Sequence, residues 1–282
     1  MSADMPTVTF ADGRTVPALG LGTYQIGMNG ATIADGVRAI RHGVDLGMSL
    51  IDTAELYGEG HAEQVVGEAV KGIRDQVFLV SKVHPENASR SGVVEACERS
   101  LKHLGVDRLD LYLLHWKSDF PLAETLEAFE RLKADGKVAR WGVSNFDVGD
   151  MEALSKLPNG GNVMANQVLY NLSHRGIEYD MASWSQERRI PIMAYSPLDE
   201  GRLLNHPELR RIADDCGATP AQVAIAFILR TGNVVAIPKS SCVQRVTENH
   251  GSAKLALTKD HIAALDKAFP PPNRKVPLEL GW

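Results

Sequence analysis

SLIDTAELYG, residues 49–58, sets the terms on which the rest of the chain is understood. Its short apolar run stops at Asp52, and Tyr57 follows within the same stretch. Two other runs stop in the same way. QVFLVSK, residues 76–82, closes on Lys82, and LDLYLLH, residues 109–115, closes on His115. Runs this short, and this rich in Val, Ile and Leu, predict fully buried strands. In a parallel arrangement the strand ends share one face, so Asp52, Tyr57, Lys82 and His115 would meet there. Singly, each has an ordinary explanation: a loop tyrosine packs, a lysine is solvated, a histidine is a satisfied polar group. Together, a carboxylate, a phenol, an ammonium and an imidazole make a proton-transfer site.

Outward from that stretch the chain keeps one rhythm. VTFADGRTVPALG, residues 8–20, predicts a hairpin turning at Asp12-Gly13. Strand candidates then centre near Leu19, Ile51, Leu79, Leu111, Trp141, Asn166, Ile192 and Val235. Their spacing of roughly 25 to 33 residues, longer only before the last, suits βαβ units. Amphipathic segments ADGVRAIRHGVDLG, HAEQVVGEAVKG, VVEACERSLKHLG, LAETLEAFERLKADG and EYDMASWSQER recur between them at helical spacing, several ending in Gly, and none is read between Trp141 and Asn166. The long final gap holds a loop and two helical patterns, and another helix precedes the tail PPPNRKVPLELGW.

Eight alternating units admit a closed barrel or an open doubly wound sheet. The open sheet needs a GxGxxG turn after its first strand. Here Gly20-Leu21-Gly22-Thr23-Tyr24-Gln25 lacks the third glycine, and no acidic residue closes a following strand about 20 residues on. The expectation is therefore an α/β fold of the (β/α)8 TIM-barrel type, with an N-terminal hairpin cap and extra helices near the C-terminus. No low-complexity linker divides the chain, so residues 1–282 are expected to form a single domain.

Composition narrows the function. Lys and Arg total 30 against 35 Asp and Glu, a net charge of −5 without a basic run, so nucleic acid and anionic membranes are not expected partners. The acidic start lacks a signal-peptide layout, and no stretch approaches the roughly 18 apolar residues of a membrane span. Cys97, Cys216 and Cys242 are few, odd and scattered, which fits a reduced, cytoplasmic protein. No metal is expected: the nine His residues form no HxH or HExxH pair, and Cys-x-x-Cys is absent. GxSxG and GxxxxGK[ST] are missing too.

The residue types fit carbonyl chemistry. A tyrosine hydroxyl titrates near 10, and a neighbouring ammonium is expected to lower it by about 1 to 3 units. Asp52 would hold Lys82 charged, and His115 would orient a carbonyl oxygen. Ser144, Asn145, Asn166 and Gln167 sit at further strand ends, where amide-type side chains suit a planar amide ring such as nicotinamide; Tyr195 and Ser196 end another. After the last strand, Lys239, Ser240, Ser241 and Arg245 open a helix and predict an anion site.

Across nearly its whole length, through GLGTY, IDTAELYG, LVSKV, LDLYLLHW, WGVSNF, NQVLYNL, MAYSPL and IPKSS, the sequence resembles the aldo-keto reductases. The number and order of these motifs make the match specific, and the resemblance implies a hairpin-capped (β/α)8 barrel that binds NADPH without a Rossmann domain. It makes Tyr57 the general acid, Lys82 and Asp52 its activating pair, and His115 the carbonyl-orienting residue. It assigns Gly22, Thr23, Asp52, Ser144, Asn145, Gln167 and a ring-stacking Tyr195 to the nicotinamide end. Ser196, Pro197 and Leu198 fall on the pyrophosphate side. Ile237, Lys239, Ser240, Ser241 and Arg245 gather around the 2′-phosphate, and Glu248 and Asn249 at the adenine. Tyr24, Leu56, His84, His115 and Trp116 would line the substrate pocket, with His84 standing where many relatives carry Trp. The implied activity is reduction of aldehydes, and of ketones or keto-sugars, with a small-molecule carbonyl as partner and a monomer as the default state. The short tail suggests an open site. The superfamily also includes NADPH-binding regulatory subunits of ion channels with little turnover. Those carry added N-terminal segments, and this sequence opens almost at its hairpin, so an enzyme is expected.

Overall fold

The computed structural model describes residues 5–28 and 30–281. Residues 1–4, 29 and 282, which include the first part of the acidic start and the last residue of the tail, lie outside the described residues. Two short strands, β1 (Thr7–Thr9) and β2 (Thr15–Pro17), pair antiparallel with Val8 opposite Val16. The turn between them relies on Gly13, whose φ of 85° is open to glycine at little steric cost.

Eight strands follow: β3 (Leu21–Gly22), β4 (Leu50–Asp52), β5 (Phe78–Val83), β6 (Leu111–Leu114), β7 (Trp141–Ser144), β8 (Asn166–Leu169), β9 (Ile192–Tyr195) and β10 (Val234–Ala236). Each pairs in parallel with its sequence neighbour. The sheet curls until its edges meet, where Leu19 bridges Ala236 and Gly22 bridges Lys239. The Gly20 and Gly22 amides donate to the carbonyls of Ala236 and Pro238 at 2.8 and 3.0 Å. At this seam a Cβ on Gly22 would lie 2.6 Å from the Ile237 carbonyl oxygen, so glycine is what lets the strands close.

The helices α1 (Ile33–Asp45), α2 (His61–Val70), α3 (Arg90–Leu104), α4 (Leu122–Ala134), α5 (Val148–Ser155) and α6 (Met181–Arg188) connect the strands. The expected extra pair is α7 (Pro207–Cys216) and α8 (Pro220–Leu229), followed by α9 (Val243–Gly251) and α10 (Lys259–Ala268). Local signals set their ends: Thr32, Asp147, Thr219 and Thr258 form capping boxes, and Gly105 and Gly217 end helices in the left-handed region. Helix α5 was not foreseen, because it buries only Met151 and Leu154 and so leaves no extended apolar period to detect. No single described helix is long and apolar enough to cross a membrane.

Alternation along the strands positions the site. Leu50, Phe78, Val80, Leu111, Leu113, Met193, Val235 and Ile237 pack together inside the barrel, closed from below by Val8, Phe10 and Val16 of the hairpin. Their neighbours Ile51, Leu79, Tyr112, Leu114, Val143, Val168 and Ile192 face the helices instead. Continuing the inward parity upward brings Asp52, Lys82 and His115 to the C-terminal mouth. At the opposite mouth a cavity of about 650 Å³ is lined by four arginines, among them Arg74 and Arg140. Arg74 pairs with Asp110 at 2.8 Å and Arg140 with Asp12 at 2.6 Å, and Arg14 and Arg140 lie over the Phe78 ring. These matched charges belong to the plugged base.

Candidate active site

At the C-terminal mouth the four expected residues meet. Lys82 is fully buried, and its ammonium donates to Asp52 Oδ2 at 2.7 Å, to the Thr53 carbonyl at 2.8 Å and to Tyr57 Oη at 3.2 Å. Three N–H groups thus meet three acceptors. Burial pulls the Lys82 ammonium below its ordinary value, and the attraction of Asp52 opposes that. Asp52 is held on its other side by Gln167 Nε2 at 2.7 Å, and its carbonyl accepts from Thr23 Oγ1 at 2.8 Å. With its amide nitrogen committed to Asp52, Gln167 keeps its carbonyl oxygen for another donor.

From the sequence, Lys82 is expected to lower the Tyr57 hydroxyl. The structure reverses that direction. Burial pushes Tyr57 well above its ordinary value, and the nearby Asp52 charge adds to the shift. The positive charge that was to favour phenolate is already matched by Asp52. Tyr57 therefore stands as a phenol with its proton in place. His115 packs edge-on to it, the rings 5.7 Å apart. Burial drives the His115 imidazole well below its usual range, with Lys82 and His84 adding repulsion, so the ring is neutral. Among the described residues its buried Nδ1 has no hydrogen-bond partner.

Gln167 and Asn166 lie at the start of β8, not at a strand end. The register sets Gln167 beside Ser144, the last residue of β7, which brings it level with the mouth. Asn166, one residue earlier, points outward and donates to the Phe146 carbonyl at 2.7 Å. Ser144 Oγ donates to the Gln167 carbonyl at 2.8 Å. Asn145 takes the left-handed region at φ 60°, donates to the His115 carbonyl at 3.2 Å, and accepts from Tyr195 Oη at 3.0 Å. Beyond Tyr195, Ser196 is also left-handed at φ 45°, followed by buried Pro197 and partly buried Leu198. This turn is held by Asn171, which donates to the Ser196 carbonyl at 2.9 Å.

After β10, buried Ile237 leads to Lys239, Ser240 and Ser241 ahead of α9, whose first turn holds Arg245. Among the described residues neither Lys239 nor Arg245 makes an ion pair. Partial burial and the Arg245 charge together press the Lys239 ammonium down. Ser241 Oγ is buried without a partner among the described residues. Two unmatched cations and an orphaned hydroxyl fit a phosphate, and the amides and phenol near Asp52 fit a nicotinamide, so this donor set suits a dinucleotide. Asn249 is buried, but Glu248 already accepts from Thr219 Oγ1 at 2.7 Å.

The rim carries Tyr24, 54% exposed, and Leu56, 43% exposed. His84 meets the Trp116 ring edge-on at 4.9 Å, and Trp116 lies 4.9 Å from His115. His84 Nδ1 accepts the Glu86 amide at 3.3 Å, which leaves Nε2 to carry the proton. Glu55, which no pattern in the sequence singles out, fixes the His84 loop by accepting from the His84 amide at 2.7 Å and from Asn87 at 3.0 Å. The short tail, expected to leave the site open, returns to the mouth, where the Gly281 amide donates to Tyr195 Oη at 3.2 Å, while Tyr24 and Leu56 keep the rim exposed. Nothing in the tail's composition announced this.

The sequence profile of the Aldo/keto reductase family matches residues 18–269. The chain belongs to the aldo/keto reductase family. This makes it an oxidoreductase of the carbonyl-reducing class. It is 45% identical over 278 residues to methylglyoxal reductase YeaE of Escherichia coli, covering 97% of this chain and 98% of that one. It is 34% identical over 263 residues to glyoxal reductase of Bacillus subtilis, covering 92% and 91%. The crystal structure of an aldo/keto reductase from Klebsiella pneumoniae in complex with NADP and acetate superposes with a TM-score of 0.95. That match is 46% identical and covers 98% of this chain and 99% of the other.

Proposed function

We propose that this aldo/keto reductase reduces small aldehydes to alcohols with NADPH, Tyr57 being the proton donor. The observation that carries the reading is the chain Asp52–Lys82–Tyr57, with links of 2.7 and 3.2 Å, beneath an open rim and beside an unmatched cation pair. Asn145, Gln167 and Tyr195 would hold the nicotinamide, Ser196 to Leu198 the pyrophosphate, and Lys239, Ser240, Ser241 and Arg245 the 2′-phosphate. When bound, the nicotinamide supplies the hydride that the carbonyl carbon accepts.

The chain's own residues do the rest. Neutral His115 donates one N–H to the carbonyl oxygen and draws it toward Tyr57. Tyr57 gives its proton to that oxygen as negative charge develops there. Lys82, held by Asp52, stabilises the phenolate left behind. Nε2–H of His84 offers a second donor at the rim, which favours aldehydes bearing an adjacent oxygen, methylglyoxal among them. The 45% identical methylglyoxal reductase supports that substrate class.

Aldehyde-dependent loss of NADPH absorbance tests the reading. Turnover with methylglyoxal and simple aldehydes is expected; tight NADPH binding with no turnover across such a panel would favour a regulatory subunit. The cation pair makes its own prediction. Lys239→Ala and Arg245→Ala should each weaken NADPH by about 10-fold or more while changing NADH little. Equal losses for both cofactors, measured by fluorescence titration, would remove the 2′-phosphate role.

A further inference from the structure

The C-terminal tail is strapped to the barrel at several points before it reaches the mouth. Lys275 pairs with Asp180 at 3.1 Å, and Val276 packs so closely on Gly176 that a Cβ there would lie 2.9 Å from it. Leu278 packs against the core between barrel and helices. Glu279 then pairs with His174 Nδ1 at 2.8 Å, while Asp199 approaches the other side of that ring at 3.6 Å. Gly281 follows and donates its amide to Tyr195 Oη. A Cβ at position 281 would lie 3.0 Å from Tyr195 Cε2, so the backbone lies directly against the ring.

From Gly281 the hydrogen bonds continue inward without a gap. Tyr195 Oη donates to Asn145 Oδ1 at 3.0 Å, and Asn145 Nδ2 donates to the His115 carbonyl at 3.2 Å. The strap therefore ends on a relay that reaches the backbone of the residue that orients the carbonyl. We propose that the C-terminal strap is a positioning element of the reaction centre, fixing the Tyr195 ring and, through Asn145, the carriage of His115. Each link has a defined direction: the strap N–H occupies a lone pair of the tyrosine oxygen, which turns the tyrosine proton toward Asn145. That in turn fixes the amide with its nitrogen toward His115. The proposal rests on the reading of Tyr195 and Asn145 as the nicotinamide flank and of His115 as the carbonyl-orienting group.

A double-mutant cycle on the NADPH-loaded enzyme tests it. Deletion of residues 278–282 and Tyr195→Phe should each lower kcat by about 3- to 10-fold, the worth of one oriented hydrogen bond in the transition state. The combined variant should lose no more than the worse single one, because both cut the same relay. Gly281→Pro, which removes the donor N–H alone, should reproduce the deletion, so a misfolded deletion variant does not end the test. Thermal unfolding midpoints near the parent's would exclude global destabilisation as the cause. Multiplicative losses in the double variant, or parent-like kcat in both strap variants, would overturn the strap while leaving the reductase reading intact. A parent enzyme with no turnover would overturn both.

Discussion

Tyr57→Phe should lower kcat by about 10²- to 10³-fold while leaving NADPH affinity within a few-fold of the parent. The expectation follows from geometry and protonation together. The Tyr57 hydroxyl lies 3.2 Å from Lys82 Nζ, and burial holds it well above its ordinary value as a protonated phenol. Removing that oxygen removes the proposed proton donor but leaves the proposed dinucleotide-holding residues untouched. The sign of the pH dependence follows as well. A donor whose value is raised stays protonated through neutrality and is lost only as pH rises past that value. His115, depressed well below 6.5, is already neutral and adds no inflection near its usual range. A profile of kcat/KM that is flat through neutrality and falls only in strong alkali is expected. Turnover of Tyr57→Phe within a few-fold of the parent would remove Tyr57 from its role.

Lys82→Met should cost both activity and stability. The Lys82–Asp52 pair is buried on both sides, with exposures of 0% and 3%. Attraction between two such charges roughly offsets the cost of burying them, but removing one leaves the other without its counter-charge. Among the described residues Asp52 would keep only the Gln167 amide as a side-chain partner. Denaturant unfolding should register a loss of about 3–5 kcal/mol, and the phenolate formed at Tyr57 would lose its ammonium, lowering kcat by about 10²-fold or more. Pairing the change with Asp52→Asn separates the two effects: the double variant should recover much of the stability and none of the rate. Recovery of rate in the double variant would contradict a role for the ammonium in the proton transfer.

Much of this was legible in the chain because strand parity is a local property. Once the apolar runs ending at Asp52, Lys82 and His115 are taken as parallel strands, alternation alone sends those side chains to one mouth. The helices with long apolar periods were equally legible, while α5, burying two side chains, was not. Gln167 was found for the wrong reason: register between β7 and β8 lifts it to the mouth, and a register is a relation between strands that no single segment encodes. The direction of the Tyr57 shift depended on how far Asp52 matches Lys82, a balance of burial and distance that spacing leaves open. The return of the tail was not legible from its length, because the contacts that fold it back come from two distant segments, one holding His174, Gly176 and Asp180 and the other Tyr195.

Transfer of hydride and proton to an aldehyde at this one mouth is the proposed reaction. It is tested most directly with methylglyoxal and NADPH carrying deuterium at both positions of nicotinamide ring carbon 4, followed by mass spectrometry of the product. One deuterium per alcohol formed is expected, on the carbon that was the carbonyl, in step with the NADPH consumed. An alcohol formed without deuterium, or no alcohol from a protein that binds NADPH tightly, would contradict it.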